Sequence, residues 1–210
     1  MKKFAIGIPT LNRADLLIPS LLKYVHDFKG VEIHIIDNGK QDLEKYKQEN
    51  IYIHTQKKNL GVAGSWNLLC DIIYAKHEWA LLLNDDVYLG YGTDKVIDVI
   101  ENNIEYGLYQ SLHNFSVILL QKEFYNLVGR FDELFYPAYY EDSDYLYRMQ
   151  LLGFIQGVTH KLNPIDARVS QTYEKAPEFV NNAMKYSRLR YIEKWGNIPL
   201  LETYKTPFNG

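Results

Sequence analysis

Apolar residues in this chain come in short blocks that end abruptly in polar or acidic residues. The clearest block, Trp79-Ala80-Leu81-Leu82-Leu83, stops at Asn84-Asp85-Asp86. Five apolar residues without alternation suit a strand covered on both faces, as in a parallel sheet flanked by helices. Similar blocks predict strands over 4–8, stopped by Pro9, over 31–36, ending at Asp37-Asn38-Gly39, and over 51–54, 115–120 and 154–158. Between them the apolar positions take helical spacing. Leu16, Leu17, Leu21, Leu22 and Val25 predict a first helix capped by Thr10 or Asn12. Further helices are expected over 41–48, through Leu68, Leu69, Ile72 and Ile73, over 93–104, from Asp142 to a stop at Gly153, and over 184–195 before Gly196. Strands alternating with helices give an α/β fold, a mostly parallel central sheet flanked by helices.

The acids matter because ligands of open α/β sheets bind in the crevice outside the carboxyl ends of the strands. Asp85 and Asp86, side by side at such an end, repel each other and favour an oxygen-seeking divalent ion such as Mg2+ or Mn2+ shared with substrate phosphates. The competing reading is an Asp-rich turn capping the next helix. Gly61 and Gly64 precede an apolar helix, where glycines let a backbone approach a phosphate. They match neither the dinucleotide fingerprint nor a P-loop, and a plain turn explains them as simply. In Tyr139-Tyr140-Glu141-Asp142-Ser143-Asp144 a helix starts among acids, as the helix dipole favours whatever the function, with Asp144 and Arg148 expected as a surface i,i+4 pair.

Composition narrows the classes. A chain of 210 residues with 47% hydrophobic and 23% charged residues suits one globular domain over 1–210, with no linker or repeat to divide it. A net charge of -3 gives no footprint for a nucleic-acid backbone. Cys70 is the single cysteine, which excludes an internal disulfide and suits a reducing, cytoplasmic compartment. No apolar run approaches the roughly 20 residues that span a bilayer, so any membrane association is expected to be peripheral.

Taken in order, these pieces resemble the inverting nucleotide-sugar glycosyltransferases of the GT-A fold, in particular glycosyltransferase family 2. The resemblance rests on Ile8-Pro9-Thr10-Leu11-Asn12-Arg13, Ile36-Asp37-Asn38, Asn59-Leu60-Gly61 with Asn67, and Leu83-Asn84-Asp85-Asp86. It continues through Val128-Gly129-Arg130-Phe131-Asp132-Glu133, Glu141-Asp142 with Asp144 and Arg148, and the tail Lys194-Trp195-Gly196 with Pro207-Phe208-Asn209. Two departures stand out: Asn84 occupies the first position of the family's Asp-x-Asp metal motif, and His160 lies earlier than the family's downstream metal-binding His.

The resemblance implies a single GT-A domain, its nucleotide-binding part over about 1–90 and its acceptor and catalytic part over about 91–210. It implies transfer of a sugar from a UDP- or dTDP-type nucleotide sugar to a hydroxyl of a glycan or other acceptor, with inversion. Pro9, Thr10, Arg13 and Asp37 would hold base and ribose, with Gly61 passing close to the nucleotide, Asn67 adding an amide contact, and Asn84 and Asp85 on the donor side. Asp86, with His160 as a second candidate, would bind Mn2+ or Mg2+. Asp142 would be the general base, its pKa pushed up by Glu141 and Asp144, while Glu141, Tyr139 and Tyr140, with Tyr136 and Tyr145 nearby, would meet the acceptor sugar. A nucleotidyltransferase making a nucleotide sugar and a non-catalytic carbohydrate-binding module are the competing classes.

Overall fold

The computed structural model describes residues 3–102, 107–111, 114–155, 157–158, 160–164, 166–167 and 177–210, apart from the side chains of Asn114, Val158, His160, Asp166 and Ala167. Its centre is a seven-stranded sheet of β1 (Phe4–Thr10), β2 (Ile33–Asp37), β3 (Ile51–Thr55), β4 (Trp79–Leu83), β6 (Leu108–Ser111), β7 (Asn114–Gln121) and β8 (Gly157–Val158), ordered β3-β2-β1-β4-β7-β6-β8. The β1–β2, β1–β4, β2–β3 and β6–β8 pairs are parallel; only β7 runs against its neighbours. A separate antiparallel pair joins β5 (Val87–Tyr88) to β9 (Asp166–Ala167).

Burial on both faces explains the unbroken apolar blocks. Phe4, Ile6, Ile8, Ile33, Ile35, Leu81, Leu83, Val117 and Leu119 point to one core. It is roofed by Leu17, Leu21 and Tyr24 of α1 (Ala14–Asp27) and Val96, Val99 and Ile100 of α3 (Thr93–Asn102). The alternate residues Ala5, Ile36, Ala80, Leu82, Ile118 and Leu120 point to a second core. That core is filled by Trp66, Leu69, Cys70 and Ile73 of α2 (Gly61–Ile73), Phe124 and Tyr125 of α4 (Lys122–Val128), and Tyr145 and Met149 of α5 (Glu141–Leu151). Gly7 is required by this packing: a Cβ there would stand 3.0–3.1 Å from Leu82 and Leu69. The last helix, α6 (Pro177–Trp195), joins a smaller cluster of Phe135, Tyr147, Tyr191 and Trp195.

Several expectations are corrected. Strand β1 runs through Pro9 to Thr10, with Pro9 opposite Ile36. The Ile6 N–H bonds toward the β2 side at Glu32, so by alternation the Pro9 nitrogen faces β4, whose pairing has ended at Gly7 opposite Leu82; no ladder bond is lost. Neither Thr10 nor Asn12 caps α1: the Ala14 N–H donates to Gln41 Oε1 at 2.7 Å, so an amide from a neighbouring loop does the capping. Residues 41–48 form only a 3-10 turn at Glu44–Tyr46. The 154–158 strand shrinks to Gly157–Val158, with Phe154 and Ile155 exposed.

Candidate functional site

The strand ends β1, β2 and β4 bring the first group of sequence-selected residues together. Thr10 pairs with Asp37 across the β1–β2 ladder, and Arg13 follows at the start of α1, buried except for an edge that binds Asp15 at 3.1 Å. Buried Thr10 Oγ1 and Arg13 Nη1 have no well-aligned hydrogen-bond partner. Both lie near Asp85, whose carboxyl burial pushes up to about 7; the Asp86 charge adds to the rise, while Thr10 and Arg13 oppose it.

Asn84, Asp85 and Asp86 offer oxygen donors only, and all three are half-buried at the mouth of β4. Among the described residues no three His, Cys, Asp or Glu side chains converge as a metal group. Such an incomplete, all-oxygen set fits Mg2+ or Mn2+, which keep waters and substrate phosphates as ligands, and a cation there would relieve the Asp85–Asp86 repulsion. His160 opens a 3-10 turn at His160–Leu162, and its side chain lies outside the described residues.

The second group sits at the start of α5. Tyr139 and Tyr140, at φ +76° and +70°, are consecutive left-handed residues leading into Glu141. Each such residue costs on the order of 1–3 kcal/mol, so the turn is held by its surroundings. Glu141 is buried with Oε2 unpartnered, and its carboxyl is pushed well above the usual range by burial, then by the charges of Asp142 and Asp144. Asp142 is half-buried, accepts the Ser143 N–H at 2.7 Å on Oδ1, and is raised by burial, with the Ser143 bonds pulling the other way. Burial is the leading cause of the rise at Asp142. Asp144 is spoken for: Arg148 Nε, Trp195 Nε1 and Lys194 Nζ reach it at 2.9, 2.8 and 2.6 Å. The expected i,i+4 pair Asp144–Arg148 forms, with Arg148 half-buried and the Asp144 side chain 0% exposed.

The two groups are fastened through α2. Asn38, just past β2, donates Nδ2–H to Ser65 Oγ at 2.8 Å and accepts the Leu60 N–H on Oδ1 at 2.9 Å. Val62 at the other side of the same turn donates its N–H to Pro137 O at 2.9 Å. The loop carrying Tyr139 and Tyr140, which leads into Asp142 of α5, is thus seated on the helix start that is bolted to β2.

Four sequence-selected residues make their described contacts within the protein itself. Gly61, at φ +71°, is pressed against Pro137 O and the Tyr136 ring, where a Cβ would fall at 2.8 and 3.0 Å, so its lack of a side chain lets this loop approach. Asn67 is fully buried and saturated, donating to Phe131 O and Glu133 Oε1 and accepting from Phe131 N–H and Tyr125 O–H, all at 2.9–3.0 Å. It has no amide left for a ligand. Tyr145 is core, stacked on Phe131 at 4.3 Å. Asp37 has no exposed surface either, its oxygens accepting from Gly39 N–H, Gln41 Nε2–H and Gln41 N–H at 3.0–3.4 Å. Sequence reasoning assigned no role to Asn38, Ser65, Asp132 or Lys194, although Asn38, Asp132 and Lys194 stand inside the motifs named above.

Residues 5–116 match the family model of Glycosyl transferase family 2. No curated protein sequence matches the chain. Among solved structures, the fold is similar to mannosyltransferase PcManGT from Pyrobaculum calidifontis, solved with GDP-Man and Mn2+: TM-score 0.67 and 12% identity, over 90% of this chain and 64% of that one. TarS from S. aureus gives a TM-score of 0.62 at 16% identity over 91% of this chain and 40% of that one. Its 1–349 form with UDP-GlcNAc gives 0.61 at 15% identity, over 91% and 67%. The present chain thus spans under two thirds of the first of these proteins, and at such identities the likeness speaks for the GT-A fold alone. With the family model covering more than half of the sequence, the chain belongs to glycosyl transferase family 2.

Proposed function

We propose that the protein is an inverting glycosyltransferase that moves a sugar from a UDP- or dTDP-type nucleotide sugar to a hydroxyl of a glycan or similar acceptor. One observation carries the reading: the turn before Glu141-Asp142 is tied through Pro137, Val62 and Asn38 to the end of β2, beside the β1 end whose Thr10 and Arg13 lie near Asp85. A binding module needs no half-buried carboxylate of raised pKa at a strained turn; a transferase needs a base there.

Pro9, Thr10 and Arg13 would form the wall for base and ribose, with Asp37 acting through the loop it holds at Gly39 and Gln41. Asn84 and Asp85 would face the donor, and Asp86 would hold Mg2+ or Mn2+. Such an ion, when bound, neutralises charge on a diphosphate leaving group. Asp142 takes the proton of the acceptor O–H as that oxygen bonds to the anomeric carbon. The bond from that carbon to the diphosphate oxygen breaks on the opposite face, and the nucleoside diphosphate leaves, so configuration inverts. Burial suits Asp142 to the task, since a raised carboxylate is a stronger base. Glu141, Tyr139 and Tyr140 flank it on the acceptor side. Among the described residues no helix is long and apolar enough to cross a membrane. We assign the protein to a reducing, cytoplasmic compartment, with any membrane contact peripheral, on the strength of its lone buried thiol, Cys70.

The test is a thermal-shift series with UDP-GlcNAc, a dTDP-sugar and GDP-Man, each with and without Mn2+, because a ligand of the folded state raises its stability by mass action. Metal-strengthened stabilisation followed by nucleoside diphosphate release supports the proposal. Pyrophosphate release from a nucleoside triphosphate would favour a nucleotidyltransferase, and glycan binding without nucleotide affinity a binding module.

A further inference from the structure

We infer that Lys194 and Trp195, at the end of α6, are positioning residues for the general base: they lock the first turn of α5 so that Asp142 presents its carboxylate at a fixed place. The inference rests on the reading of Asp142 given above. The Lys194 ammonium, 7% exposed, bridges Asp132 Oδ2 at 2.7 Å and Asp144 Oδ1 at 2.6 Å, and the Trp195 indole N–H donates to the same Asp144 oxygen at 2.8 Å. Arg148 takes the other Asp144 oxygen and ties it to Val128 O and Arg130 O at 2.7 and 2.9 Å. Asp144 is two residues from Asp142, so fixing its side chain from three directions fixes the backbone turn from which Asp142 projects.

The same helix also grips the strained turn before the base. Ser187 Oγ donates to Ala138 O at 2.9 Å, and the Tyr191 ring packs at 5.5 Å from that of Tyr140. The tail after α6 in turn clamps the helix end. Thr203 N–H and Tyr204 N–H both donate to Trp195 O, and Tyr147 O–H of α5 donates to Tyr204 O at 2.8 Å. Phe135, Tyr147, Tyr191 and Trp195 make a cluster of their own, apart from the two sheet cores. Buried contacts of Ser187, Tyr191, Lys194 and Trp195 thus converge on α5 and the turn before it, and the segment from Pro177 onward lies wholly outside the 5–116 span of the family match. A buried ammonium between two carboxylates is a costly device for stability alone, and holding geometry is its better-attested use.

The test compares wild type with Lys194→Met, Trp195→Phe, Lys194→Arg and Asp142→Asn in the full chain. Three quantities are followed: donor affinity by calorimetry, amide hydrogen exchange, and release of nucleoside diphosphate from UDP-GlcNAc or GDP-Man with water as acceptor. Displacing a catalytic group by about 1 Å costs on the order of 10²-fold, so Lys194→Met should lower kcat by about that factor with donor affinity unchanged. Lys194→Arg, which keeps the charge, should restore most of the rate. Trp195→Phe, which removes only the indole N–H and part of the ring, should lower kcat by a smaller factor and covers the case of a Lys194→Met protein that does not fold. Amide hydrogen exchange should rise over 138–146 while β1, β2 and β4 stay protected. Wild-type kcat in folded Lys194→Met or Trp195→Phe, or a loss of donor affinity that matches the loss of rate, overturns the inference. An inactive Asp142→Asn beside a fully active Lys194→Met refutes the positioning role and leaves the base assignment standing; an active Asp142→Asn removes both.

Discussion

Asn67→Ala separates a nucleotide contact from a structural brace. Asn67 closes four hydrogen bonds between α2 and residues 125–133, and three of its partner groups, Phe131 N–H, Phe131 O and Tyr125 O–H, are buried. The fourth, Glu133, is on an exposed residue, and water can replace the amide there. At about 1 kcal/mol for each buried bond, the loss comes to roughly 3 kcal/mol, and it rises toward 5 if the stranded groups find no water. Against a domain stability of about 5–15 kcal/mol that is a large fraction. Urea unfolding should show it as a lower midpoint at unchanged slope. Donor affinity, measured by calorimetry below the unfolding transition, should stay within about twofold of wild type. A change under about 1 kcal/mol, together with a tenfold or greater fall in nucleotide affinity, would refute the reasoning and return Asn67 to the ligand.

Three further outcomes are expected. Gly61→Ala forces a left-handed φ of +71° on a side chain whose Cβ would stand 2.8 Å from Pro137 O, so it should cost about 2 kcal/mol or more in a urea titration; a cost within error of zero would show that the loop yields freely. Burial lowers His34 from its ordinary 6.5 to about 4, so between these values the unfolded chain binds more protons and stability falls as the pH drops, by roughly 3 kcal/mol in all. His34→Gln should flatten the unfolding free energy over that window, and an unchanged slope would assign the acid sensitivity elsewhere. Asp86→Ala should abolish the strengthening of donor binding by Mn2+ or Mg2+ in calorimetry; equal metal enhancement in variant and wild type would take the metal away from Asp86.

The sheet was legible because strands buried on both faces write continuous apolar blocks, as Trp79–Leu83 does. Strand β6 escaped notice because Gln110 and Ser111, though buried, carry no apolar signature, and α4 because it follows β7 without a break at Gln121–Lys122. The acids of the site were visible as residue types. What they face was not, because an amide such as Asn67 or a carboxylate such as Asp144 reads the same in sequence whether its partner is a ligand or a group 50–65 residues away. The glycine at 61 illustrates the same ambiguity: its positive φ and close approach are real, but the approaching surface is the Tyr136–Pro137 loop. Lys194-Trp195 stood in plain view in the tail, and only the fold reveals that Asp132 and Asp144 meet there.

The central claim is that Asp142 is the base, and Asp142→Asn tests it most directly because the amide keeps the shape and removes the proton acceptor. Asp144 cannot deputise, being saturated by Arg148, Trp195 and Lys194. Transfer from a bound nucleotide sugar, followed as nucleoside diphosphate release by a folded variant, should fall by roughly 10²–10⁴-fold with donor and metal affinity unchanged. Near-normal transfer by the same folded, donor-binding variant would contradict the account.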